Sequence, residues 1–367
     1  MRIIGLGRAV PQLTVANADF ARIADTGDAW IRTRTGIRER HFTGRYLPDA
    51  LRAAAQERAG QEAERRAAEE AAQVCTPTET DGTDPKPAEE TGTLTNNGAS
   101  CGTDPKPAEE TDCTLAVRAA KNALSDAGLD PASIGLVITA TSTMEQRMPS
   151  LACRVRAEAG LPEGIPAFDV NAACTGFIYA LRVADALMRT GTGGPALVIG
   201  AEEVSSVLDF SDRSTMVLFG DAAAAAVLTV EGPFAAHLSS GGDPGLLYID
   251  RQYHLRMRGR EVFRYAVGAI AREMIALEAQ TGISAREVDY IVCHQANRRI
   301  IDHVRKAADL PEEKFFLNLD RYGNTSAASI PSALAEMKER GMLTPGTQVF
   351  AVGFGAGMTS GSAYLKF

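Results

Sequence analysis

The stretch that decides the fold reads Gly128-Leu129-Asp130-Pro131-Ala132-Ser133-Ile134-Gly135-Leu136-Val137-Ile138, and it aligns in register with Gly282-Ile283-Ser284-Ala285-Arg286-Glu287-Val288-Asp289-Tyr290-Ile291-Val292. Both copies end in a short apolar run, which predicts a buried strand, and both follow a helical pattern. Residues 196–200 and 350–353 match in the same way farther along the chain. Each half therefore predicts the order helix, strand, loop, helix, strand, which indicates a duplicated α/β unit.

Polar side chains differ between the loops that the duplication makes equivalent. Cys174-Thr175 begins a predicted helix in the first half, and Asn324-Thr325 occupies the corresponding place in the second. A duplicated unit with different polar groups at matched loops predicts one active site where the halves join. We therefore expect an N-terminal half, residues 1–230, that carries the cysteine, and a C-terminal half, residues 231–367.

The composition excludes several classes of function. The chain has 367 residues, 38 basic and 46 acidic side chains and a net charge of −8, so its overall charge does not favour nucleic acid. Because it lacks a run of about eighteen apolar residues and begins like a strand, we expect neither a membrane span nor a signal peptide. Six cysteines without a Cys-x-x-Cys pair fit a reduced cytoplasm better than a disulfide framework.

A polar insertion interrupts the first half at about residues 46–113. Residues 75–113 hold nine acidic and two basic side chains, and the ten residues of 82–91 recur unchanged at 102–111. Such a segment has too little apolar surface to form a core. Residues 52–72, rich in Ala, Glu and Arg with charges four apart, predict a solvated helix. The simplest interpretation is an inserted helix with a disordered tail, and the alternative is a regulatory arm or a partner-binding lid.

Cys174 is the best candidate for a nucleophile. The strand-like run Phe168-Asp169-Val170 precedes it, and an apolar helical stretch over 175–188 follows. A thiol at a helix N-terminus lies at the positive end of the helix dipole, so we expect a lowered pKa and a favoured thiolate. The alternative is a buried structural cysteine, an interpretation that suits Cys153 and Cys293 because each lies in an apolar element.

His294 and Asn324 are further candidates. His294 follows the strand that ends at Cys293, and catalytic groups in α/β sheets collect at the carboxyl ends of strands. Asn324 stands among small polar residues, where a helix N-cap is the alternative. No histidines or cysteines have the spacing of metal ligands, so we predict no metal site. Gly353-Phe354-Gly355-Ala356-Gly357 opens no helix, which argues against a dinucleotide loop, but its backbone N–H groups could face an oxyanion.

Together these residues resemble the β-ketoacyl-(acyl-carrier-protein) synthase III family of thiolase-fold condensing enzymes. The resemblance implies an α/β, thiolase-like fold whose duplicated halves form a layered α-β-α-β-α architecture. It also implies an acyltransferase that starts fatty acid synthesis by condensing an acyl-CoA primer with malonyl-acyl carrier protein, with loss of carbon dioxide. Six runs carry the resemblance, in the family's order, over residues 1–45 and 114–367: Trp30-Ile31-Arg32-Thr33-Arg34-Thr35-Gly36-Ile37, Ala173-Cys174-Thr175-Gly176-Phe177, Phe219-Gly220-Asp221, His294-Gln295-Ala296-Asn297, Gly323-Asn324-Thr325-Ser326-Ala327-Ala328-Ser329 and Gly353-Phe354-Gly355-Ala356-Gly357.

The resemblance implies a role for each matching residue. Cys174 resembles the residue that takes the acyl group, and His294 with Asn324 resembles the pair that binds the malonyl thioester and assists decarboxylation. The backbone N–H groups of Cys174 and Ala356 would form the oxyanion hole. Other matching positions bind CoA or reach the partner's acyl pocket across a dimer interface: Trp30, Arg34, Arg213 and Asn297 for CoA, and Met148 for the acyl pocket.

The implied partners are acyl-CoA, an acidic acyl carrier protein and a second copy of the chain in a cytoplasmic homodimer. No cofactor is implied, because both thioesters are substrates. A basic helix after His294 suits the carrier protein, since Arg298 and Arg305, like Arg299 and Lys306, are seven residues apart and share a helix face. An ordinary solvated helix face is the alternative.

Three departures from the family leave substrate choice open. Ala222 and Ala224 stand where the family has glycines, residues 244–254 are shorter than their usual counterpart, and the insertion is foreign to it. We expect the added methyl groups to alter a tight-turning strand and the pocket. A thiolase would need a second cysteine in 353–357, and an elongating synthase a histidine in place of Asn324. The open alternatives are a specialised condensing or acyl-transfer enzyme of secondary metabolism on the same fold, and a catalytically silent scaffold.

Overall fold

The computed structural model describes residues 1–74 and 109–367. These residues divide into two units, one of residues 1–56 with 110–367 and one that includes residues 57–74. The helix predicted over 52–72 is confirmed, because a continuous helix runs over Asp49–Val74. The disordered tail expected after this helix lies, over 75–108, outside the described residues. No helix within the described ranges is long and apolar enough to cross a membrane.

Strands and helices alternate along the described residues. The strands are β1 (Arg2–Ala9), β2 (Leu13–Ala16), β3 (Glu39–Phe42), β4 (Leu136–Ala140), β5 (Ala167–Val170), β6 (Ala196–Glu202), β7 (Ala222–Thr229), β8 (Phe234–Ser240), β9 (Leu247–Ile249), β10 (Leu255–Met257), β11 (Tyr290–Cys293), β12 (Gln348–Gly355) and β13 (Thr359–Lys366). The helices are α1 (Asp28–Thr35), α2 (Asp49–Val74), α3 (Asp112–Ala127), α4 (Leu151–Glu158), α5 (Gly176–Arg189), α6 (Arg213–Met216), α7 (Gly259–Thr281), α8 (Arg298–Ala307), α9 (Leu319–Tyr322) and α10 (Ser329–Glu339).

Two sheets repeat one arrangement. The first has the order β1-β7-β6-β4-β5, in which β4 pairs in parallel with β5 and β6, while β7 pairs antiparallel with β6 and β1. The second has the order β8-β13-β12-β11, with β11 parallel to β12 and the other pairs antiparallel. Phe315 adds a parallel bridge to Ile291 of β11, at the edge where β5 stands in the first sheet. The repeated order agrees with a duplicated unit, and the expected boundary between residues 230 and 231 stays a prediction.

Helices α5 and α10 lie between the two sheets. Leu181 of α5 and Leu334 of α10 share a core with Ile138 of the first sheet and Ala351 of the second. Helices α3 and α4 cover the other face of the first sheet, and α7 and α8 cover the other face of the second. The layers therefore follow the order α-β-α-β-α of the thiolase-like fold.

Burial on both faces explains the apolar runs from which the strands were predicted. Leu197 and Ile199 of β6 pack against α3, whereas Ala196 and Val198 face the central helices. Successive side chains of a strand point to opposite faces, so a strand between two helical layers is apolar at every position.

The insertion is shorter than the expected range of 46–113. Leu47 and Leu51 are buried in a cluster with Phe42, and Cys113 is buried at the start of α3. Residues 46–56 and 110–113 therefore belong to the first compact unit. A few large apolar side chains at the ends of a polar stretch are enough to anchor those ends.

The substituted glycine positions also differ from expectation. Ala222 and Ala224 lie in the regular part of β7, where they pair with Glu202 and Gly200 of β6. Neither residue lines the cavity described below. The tight turn expected here is absent from this part of the described chain, because β7 is a regular strand in the interior of the sheet, and the effect on the pocket stays a prediction.

Candidate active site

The three residues expected to carry catalysis line one cavity. Cys174 comes from the N-terminal half, and His294 and Asn324 come from the C-terminal half; all three border a space of about 340 Å³. Leu218 and Phe354 are among the apolar side chains in its wall. The fold thus brings the polar residues of the two halves together where the halves join.

A tight turn positions Cys174. Strand β5 ends at Val170, and the backbone N–H of Ala173 then donates to Asn171 Oδ1 at 3.3 Å. Ala173 has a positive φ of 47°, which is uncommon for a residue with a side chain. A 3-10 turn over Ala173–Thr175 follows and leads into α5. The predicted place of Cys174 at the start of a helix is therefore confirmed.

The end of strand β12 lies against Cys174. A Cβ atom added at Gly355 would stand 2.8 Å from the backbone N of Cys174, so this approach requires glycine. The next residue, Ala356, lines the cavity, and its carbonyl accepts a hydrogen bond from Thr359 Oγ1 at 3.0 Å. Cys174 and Ala356 thus border the same space, and their role as an oxyanion hole stays a prediction.

Burial is the largest influence on the pKa of the Cys174 thiol. Burial, followed by the charge of Glu202, raises the pKa of Cys174 to about 12, and hydrogen bonding with Ser326 offsets only part of this rise. The expectation of a lowered pKa is wrong, because taking the sulfur out of water disfavours the thiolate more than the helix terminus favours it. A role of Cys174 as nucleophile, which stays a prediction, therefore requires a group that accepts the thiol proton.

His294 is a buried, neutral imidazole. Its backbone N–H donates to the carbonyl of Val352 at 2.8 Å, and its Nδ1 lies 2.6 Å from Ser329 Oγ. Phe354 packs against the ring edge-on, with 5.3 Å between ring centroids. Burial lowers the pKa of His294 to about 3. When Ser329 donates to Nδ1, Nε2 carries the ring hydrogen, and His294 is a neutral hydrogen-bond donor.

Asn324 is fixed by its backbone and by its own side chain. Its N–H donates to the carbonyl of Leu218 at 2.8 Å, and its carbonyl accepts from the N–H of Gly220 at 3.0 Å. Its Oδ1 accepts from the backbone N–H of Ser326 at 2.9 Å. Because Oδ1 is used in this turn, the Nδ2 group is the part of the amide that can donate to a ligand. Capping and ligand binding are therefore compatible in this residue.

Two buried groups beside Cys174 were missed in the sequence. Ser326 Oγ lies 3.4 Å from Cys174 Sγ and 2.9 Å from Glu202 Oε1. Glu202 is fully buried and also accepts hydrogen bonds from Thr143 Oγ1 at 2.5 Å and from the backbone N–H of Ser142 at 3.1 Å. An acidic residue at the end of the apolar run 196–200 was the available signal, but nothing in the sequence links it to Cys174.

The hairpin of β9 and β10 forms one wall of the cavity. Leu247, Ile249, Leu255 and Met257 all line the space. This hairpin includes most of residues 244–254, the segment expected to be shorter than its counterpart. Its position supports the expectation that a difference in this segment changes one wall of the substrate tunnel.

A second cavity of about 560 Å³ adjoins the first. Met257, Phe263 and Asn297 line both cavities, and Trp30 and Arg34 line the second. The N–H of Arg299 donates to Asn297 Oδ1 at 2.9 Å, and Asn297 Nδ2 donates to the Arg34 carbonyl at 3.2 Å. Asn297 therefore links the start of α8 to the end of α1 at the boundary between the two spaces.

Trp30 lies against two guanidinium groups. The Cζ atoms of Arg34 and Arg213 lie 4.4 Å and 4.6 Å from the indole centroid. Both arginines are exposed, and Arg213 also donates to the carbonyl of Asp25. A nucleotide base bound between Trp30 and Arg213 must therefore displace the Arg213 guanidinium from the indole, at the cost of this cation–π contact.

The basic residues of α8 fall into two pairs. Arg298 and Arg305 both form ion pairs with Glu312, with N–O distances of 3.0 Å and 3.9 Å. Arg299 and Lys306 are exposed and form no ion pair within the described ranges. The net positive charge of this helix face therefore rests mainly on the second pair.

Met148 is a large apolar side chain in solvent, with 86% of its surface exposed. Isolated exposed apolar residues are common, but a single one with this much exposure costs free energy in water. The exposure supports the predicted insertion into a partner subunit, which stays a prediction.

The described cysteines Cys113, Cys153, Cys174 and Cys293 are free. Across the described residues, no group of three His, Cys, Asp or Glu side chains could hold a metal ion. The polar groups of the cavity are thus a thiol, an imidazole, amides and hydroxyls, which suit acyl transfer.

Comparisons with known proteins agree on one family. Residues 168–242 match the family description "3-Oxoacyl-[acyl-carrier-protein (ACP)] synthase III", and residues 278–367 match its C-terminal part. A beta-ketoacyl-[acyl-carrier-protein] synthase III of Sphingopyxis alaskensis is 38% identical, covering 99% of this chain and 97% of that protein. The crystal structure of a 3-oxoacyl-[acyl-carrier-protein] synthase III from Aquifex aeolicus is 34% identical with a TM-score of 0.79, covering 100% of this chain and 99% of that one. A priming beta-ketosynthase from the R1128 polyketide biosynthetic pathway is 28% identical with a TM-score of 0.75, covering 100% and 96%.

Proposed function

This chain belongs to the 3-oxoacyl-[acyl-carrier-protein] synthase III family, and we propose that it starts fatty acid chains by condensing an acyl-CoA primer with malonyl-acyl carrier protein. The observation that carries the proposal is the set of Cys174, His294 and Asn324 around one largely apolar cavity. A nucleophilic thiol beside two neutral hydrogen-bond donors matches the two half-reactions of such a condensation.

In the first half-reaction, Cys174 takes the acyl group. Its sulfur attacks the thioester carbonyl of the primer, CoA leaves as the thiol, and an acyl-cysteine remains. The backbone N–H groups of Cys174 and Ala356 donate to the carbonyl oxygen as it gains negative charge. Covalent catalysis of this kind divides one difficult condensation into two easier steps.

In the second half-reaction, His294 and Asn324 stabilise an enolate. The malonyl thioester loses carbon dioxide, and the remaining electron pair makes its carbonyl oxygen negative. The Nε2–H of a neutral imidazole and the Nδ2–H of an amide donate to that oxygen without a competing charge. The enolate carbon then attacks the carbonyl of the acyl-cysteine, and the carbon–sulfur bond to Cys174 breaks. The Cys174 sulfur leaves as a thiolate that takes up a proton, and the product is a β-ketoacyl thioester on the carrier protein.

The second cavity suits the nucleotide end of CoA. Trp30 supplies an aromatic face, and the exposed Arg34 and Arg213 supply positive charge for phosphates. Since Met257, Phe263 and Asn297 border both cavities, the pantetheine arm passes between them toward Cys174. The exposed Arg299 and Lys306 of α8 then attract an acidic carrier protein.

The active assembly is a homodimer in the cytoplasm, in which Met148 enters the acyl pocket of the other subunit. The 86% exposure of Met148 and the free described cysteines support these two features. The reaction needs no cofactor, because acyl-CoA and malonyl-acyl carrier protein supply all reacting atoms.

A specialised synthase of secondary metabolism is the second candidate. The likeness to the R1128 priming ketosynthase supports it, and that enzyme shares the fold over the whole chain. The two candidates differ in the primer, because the same three catalytic groups serve either pathway. The hairpin wall of β9 and β10 is the part of the cavity where such a difference would arise.

Intact-protein mass measurement after exposure to a series of acyl-CoAs tests the proposal. We expect a mass increase equal to one acyl group, abolished in Cys174→Ala and unchanged in Cys153→Ala. Fastest loading of short acyl chains would favour a role in starting fatty acid synthesis. A preference for an unusual primer would favour a synthase of secondary metabolism. Continued labelling of Cys174→Ala would contradict the assignment of the nucleophile.

A further inference from the structure

Hydrogen bonds connect Cys174 to the buried carboxylate of Glu202 through Ser326, and this path does not include His294. The Ser326 hydroxyl lies between Cys174 Sγ, at 3.4 Å, and Glu202 Oε1, at 2.9 Å. A hydroxyl has one hydrogen, so when Ser326 donates to Glu202, its oxygen can accept the S–H of Cys174. Ser326 has a φ of 49°, a left-handed conformation that its side chain makes costly. The turn that begins at Asn324 Oδ1 holds this conformation and fixes the hydroxyl between the two groups.

Glu202 lies among uncharged donors. The hydroxyls of Ser142, Thr143 and Ser326 surround its carboxylate, and no ion pair to Glu202 forms within residues 1–74 and 109–367. Burial raises the pKa of Glu202 and lowers the pKa of His294. Within the described residues, hydrogen bonds connect Cys174 Sγ to Glu202 through Ser326, whereas His294 Nδ1 bonds to Ser329 and not to Cys174.

We propose that Glu202 is a proton-relay residue, which takes the thiol proton of Cys174 through the Ser326 hydroxyl while the cysteine is acylated. The inference rests on the proposed function, since acylation by acyl-CoA is the step that it serves. Glu202 does not line the cavity and reaches Cys174 only through Ser326, so it is a positioning residue that holds the proton and does not react with the thioester.

The relay keeps atoms and charges in balance. As Cys174 Sγ attacks the acyl carbonyl, the S–H bond breaks and its proton passes to Ser326 Oγ, whose own proton passes to Glu202 Oε1. When the carbon–sulfur bond to CoA breaks, the protons return along the same route, and the Ser326 hydroxyl protonates the departing CoA sulfur. Glu202 and Ser326 end as they began, and the products are the acyl-cysteine and CoA thiol.

Other titratable groups near the relay have their own partners. Glu203 pairs with Arg45 at 3.4 Å, and burial raises the pKa of Glu203 to about 7. Asp221 accepts from Ser205 Oγ at 2.7 Å, and burial raises the pKa of Asp221 to about 6. Because Glu203 and Asp221 titrate in the working range, the test must separate their ionisation from that of Glu202.

The test compares Glu202→Gln with wild type in the rate of Cys174 acylation by acyl-CoA, followed by rapid quenching and intact mass. Glu202 could affect Cys174 through its negative charge alone or as a proton relay, and these two explanations predict opposite changes in the acylation rate of Glu202→Gln. Removing a negative charge near the thiol would by itself lower the pKa of Cys174 and speed acylation. Loss of the relay slows acylation at pH 7 by ~10²-fold, and the rate then rises about tenfold per pH unit as hydroxide removes the proton.

Three further variants complete the experiment. Ser326→Gly removes the hydroxyl but accommodates the left-handed backbone, and it should show the same slow, pH-dependent acylation as Glu202→Gln. Glu273→Gln is the control for loss of a buried carboxylate outside the cavity: Glu273 accepts from Ser360 and Ser362 hydroxyls, at 2.6 Å and 2.9 Å, and also lies 2.9 Å from His237 Nδ1. Glu203→Gln should leave the pH profile of acylation near that of wild type.

Alkylation of Cys174 by iodoacetamide repeats the comparison without any thioester. Slower alkylation in Glu202→Gln and Ser326→Gly, with a steeper rise with pH, supports the relay. Equal or faster reaction of both variants with wild-type pH dependence overturns it. If wild type is not acylated by any acyl-CoA, the proposed function fails, whereas the alkylation result still decides whether the relay exists.

Discussion

The chain makes the same turn twice, once in each half. Asn171 Oδ1 accepts the N–H of Ala173 at 3.3 Å, and Asn324 Oδ1 accepts the N–H of Ser326 at 2.9 Å. Ala173 and Ser326 both have left-handed backbones, with φ of 47° and 49°. A 3-10 turn and then a central helix, α5 or α10, follow each of them.

The two turns carry different chemistry on this shared backbone. Since the two asparagines correspond, Cys174 corresponds to Ala327, which corrects the sequence match of Cys174 with Asn324. The first turn presents a nucleophile after its left-handed residue. The second presents an amide from Asn324 and a hydroxyl from Ser326, which reaches Cys174 Sγ. The duplicated halves thus contain two turns of the same backbone conformation. One turn carries Cys174, and the other places hydrogen-bond donors beside it.

The largest expected effect comes from separating the two uses of Asn324. Asn324→Asp keeps the oxygen that accepts the Ser326 N–H, but it loses the Nδ2 donors and adds a negative charge near the enolate. We expect condensation to fall by ~10³-fold, and acyl loading of Cys174 to remain substantial. The measurement pairs single-turnover acylation with product formation from malonyl-acyl carrier protein.

Asn171→Ser is the control in the first turn, because a serine hydroxyl can also accept the N–H two residues on. We expect the rate of condensation to stay within about threefold of wild type, because the serine hydroxyl can form the hydrogen bond that holds this turn. Equal losses in Asn171→Ser and Asn324→Asp would mean that both asparagines only hold turns.

His294 should act in decarboxylation alone and as a neutral group. His294→Ala is expected to slow condensation by ~10²-fold while acyl loading persists. Because the pKa of His294 is lowered to about 3, the charged form appears only as the pH falls toward that value, and the donor stays neutral from pH 5 to 8. Release of carbon dioxide from a malonyl thioester by Cys174→Ala should show no titration near pH 6.5. Because burial raises the pKa of Glu203 to about 7 and of Asp221 to about 6, a step there that persists in Glu203→Gln and in Asp221→Asn would contradict a buried neutral imidazole.

The basic face of α8 offers a smaller effect. Lys306 is a cleaner probe than Arg299, because Arg299 also lines the second cavity. Lys306→Glu should raise KM for malonyl-acyl carrier protein about fivefold at low salt and leave KM for malonyl-CoA unchanged. Lys121→Glu on the exposed face of α3 is the matched control. Equal changes in KM for both malonyl substrates would contradict a carrier-protein site and would indicate an ordinary solvated helix face.

Deletion within the insertion should have the smallest effect. A variant in which a short Gly/Ser linker replaces residues 75–108 should keep Tm and Cys174 acylation near those of wild type. The residues of the first unit on both sides of the deletion remain in this variant. Deletion of 75–113 should lower stability by more than the loss of a helix cap alone, which costs about 1–2 kcal/mol. It removes Thr111, which caps α3 by accepting from Thr114 N at 3.2 Å, and also the buried Asp112 and Cys113. Thermal unfolding followed by circular dichroism measures both. Loss of Cys174 acylation in the variant without residues 75–108 would instead favour the interpretation of the insertion as a regulatory arm or lid.

Most of the fold and three site residues could be predicted from the sequence by local pattern. Residues 136–140, 196–200 and 290–293 are strands because runs that are apolar on both faces suit only the interior of a layered α/β unit. Cys174 and His294 stand at a helix start and a strand end, which neighbouring residues alone indicate. The family motifs then connected these places to one reaction.

The tertiary structure alone decided the electrostatics of the site. Whether Cys174 is a thiolate depends on how much water reaches it, and that depends on packing from both halves, which raises its pKa to about 12. The contact of Ser326 with Cys174 and Glu202 joins residues far apart in sequence, so no local pattern contains it. Spacing along the chain specifies which groups each turn presents, whereas burial and distance between turns, which set proton affinity, exist only once the halves have packed.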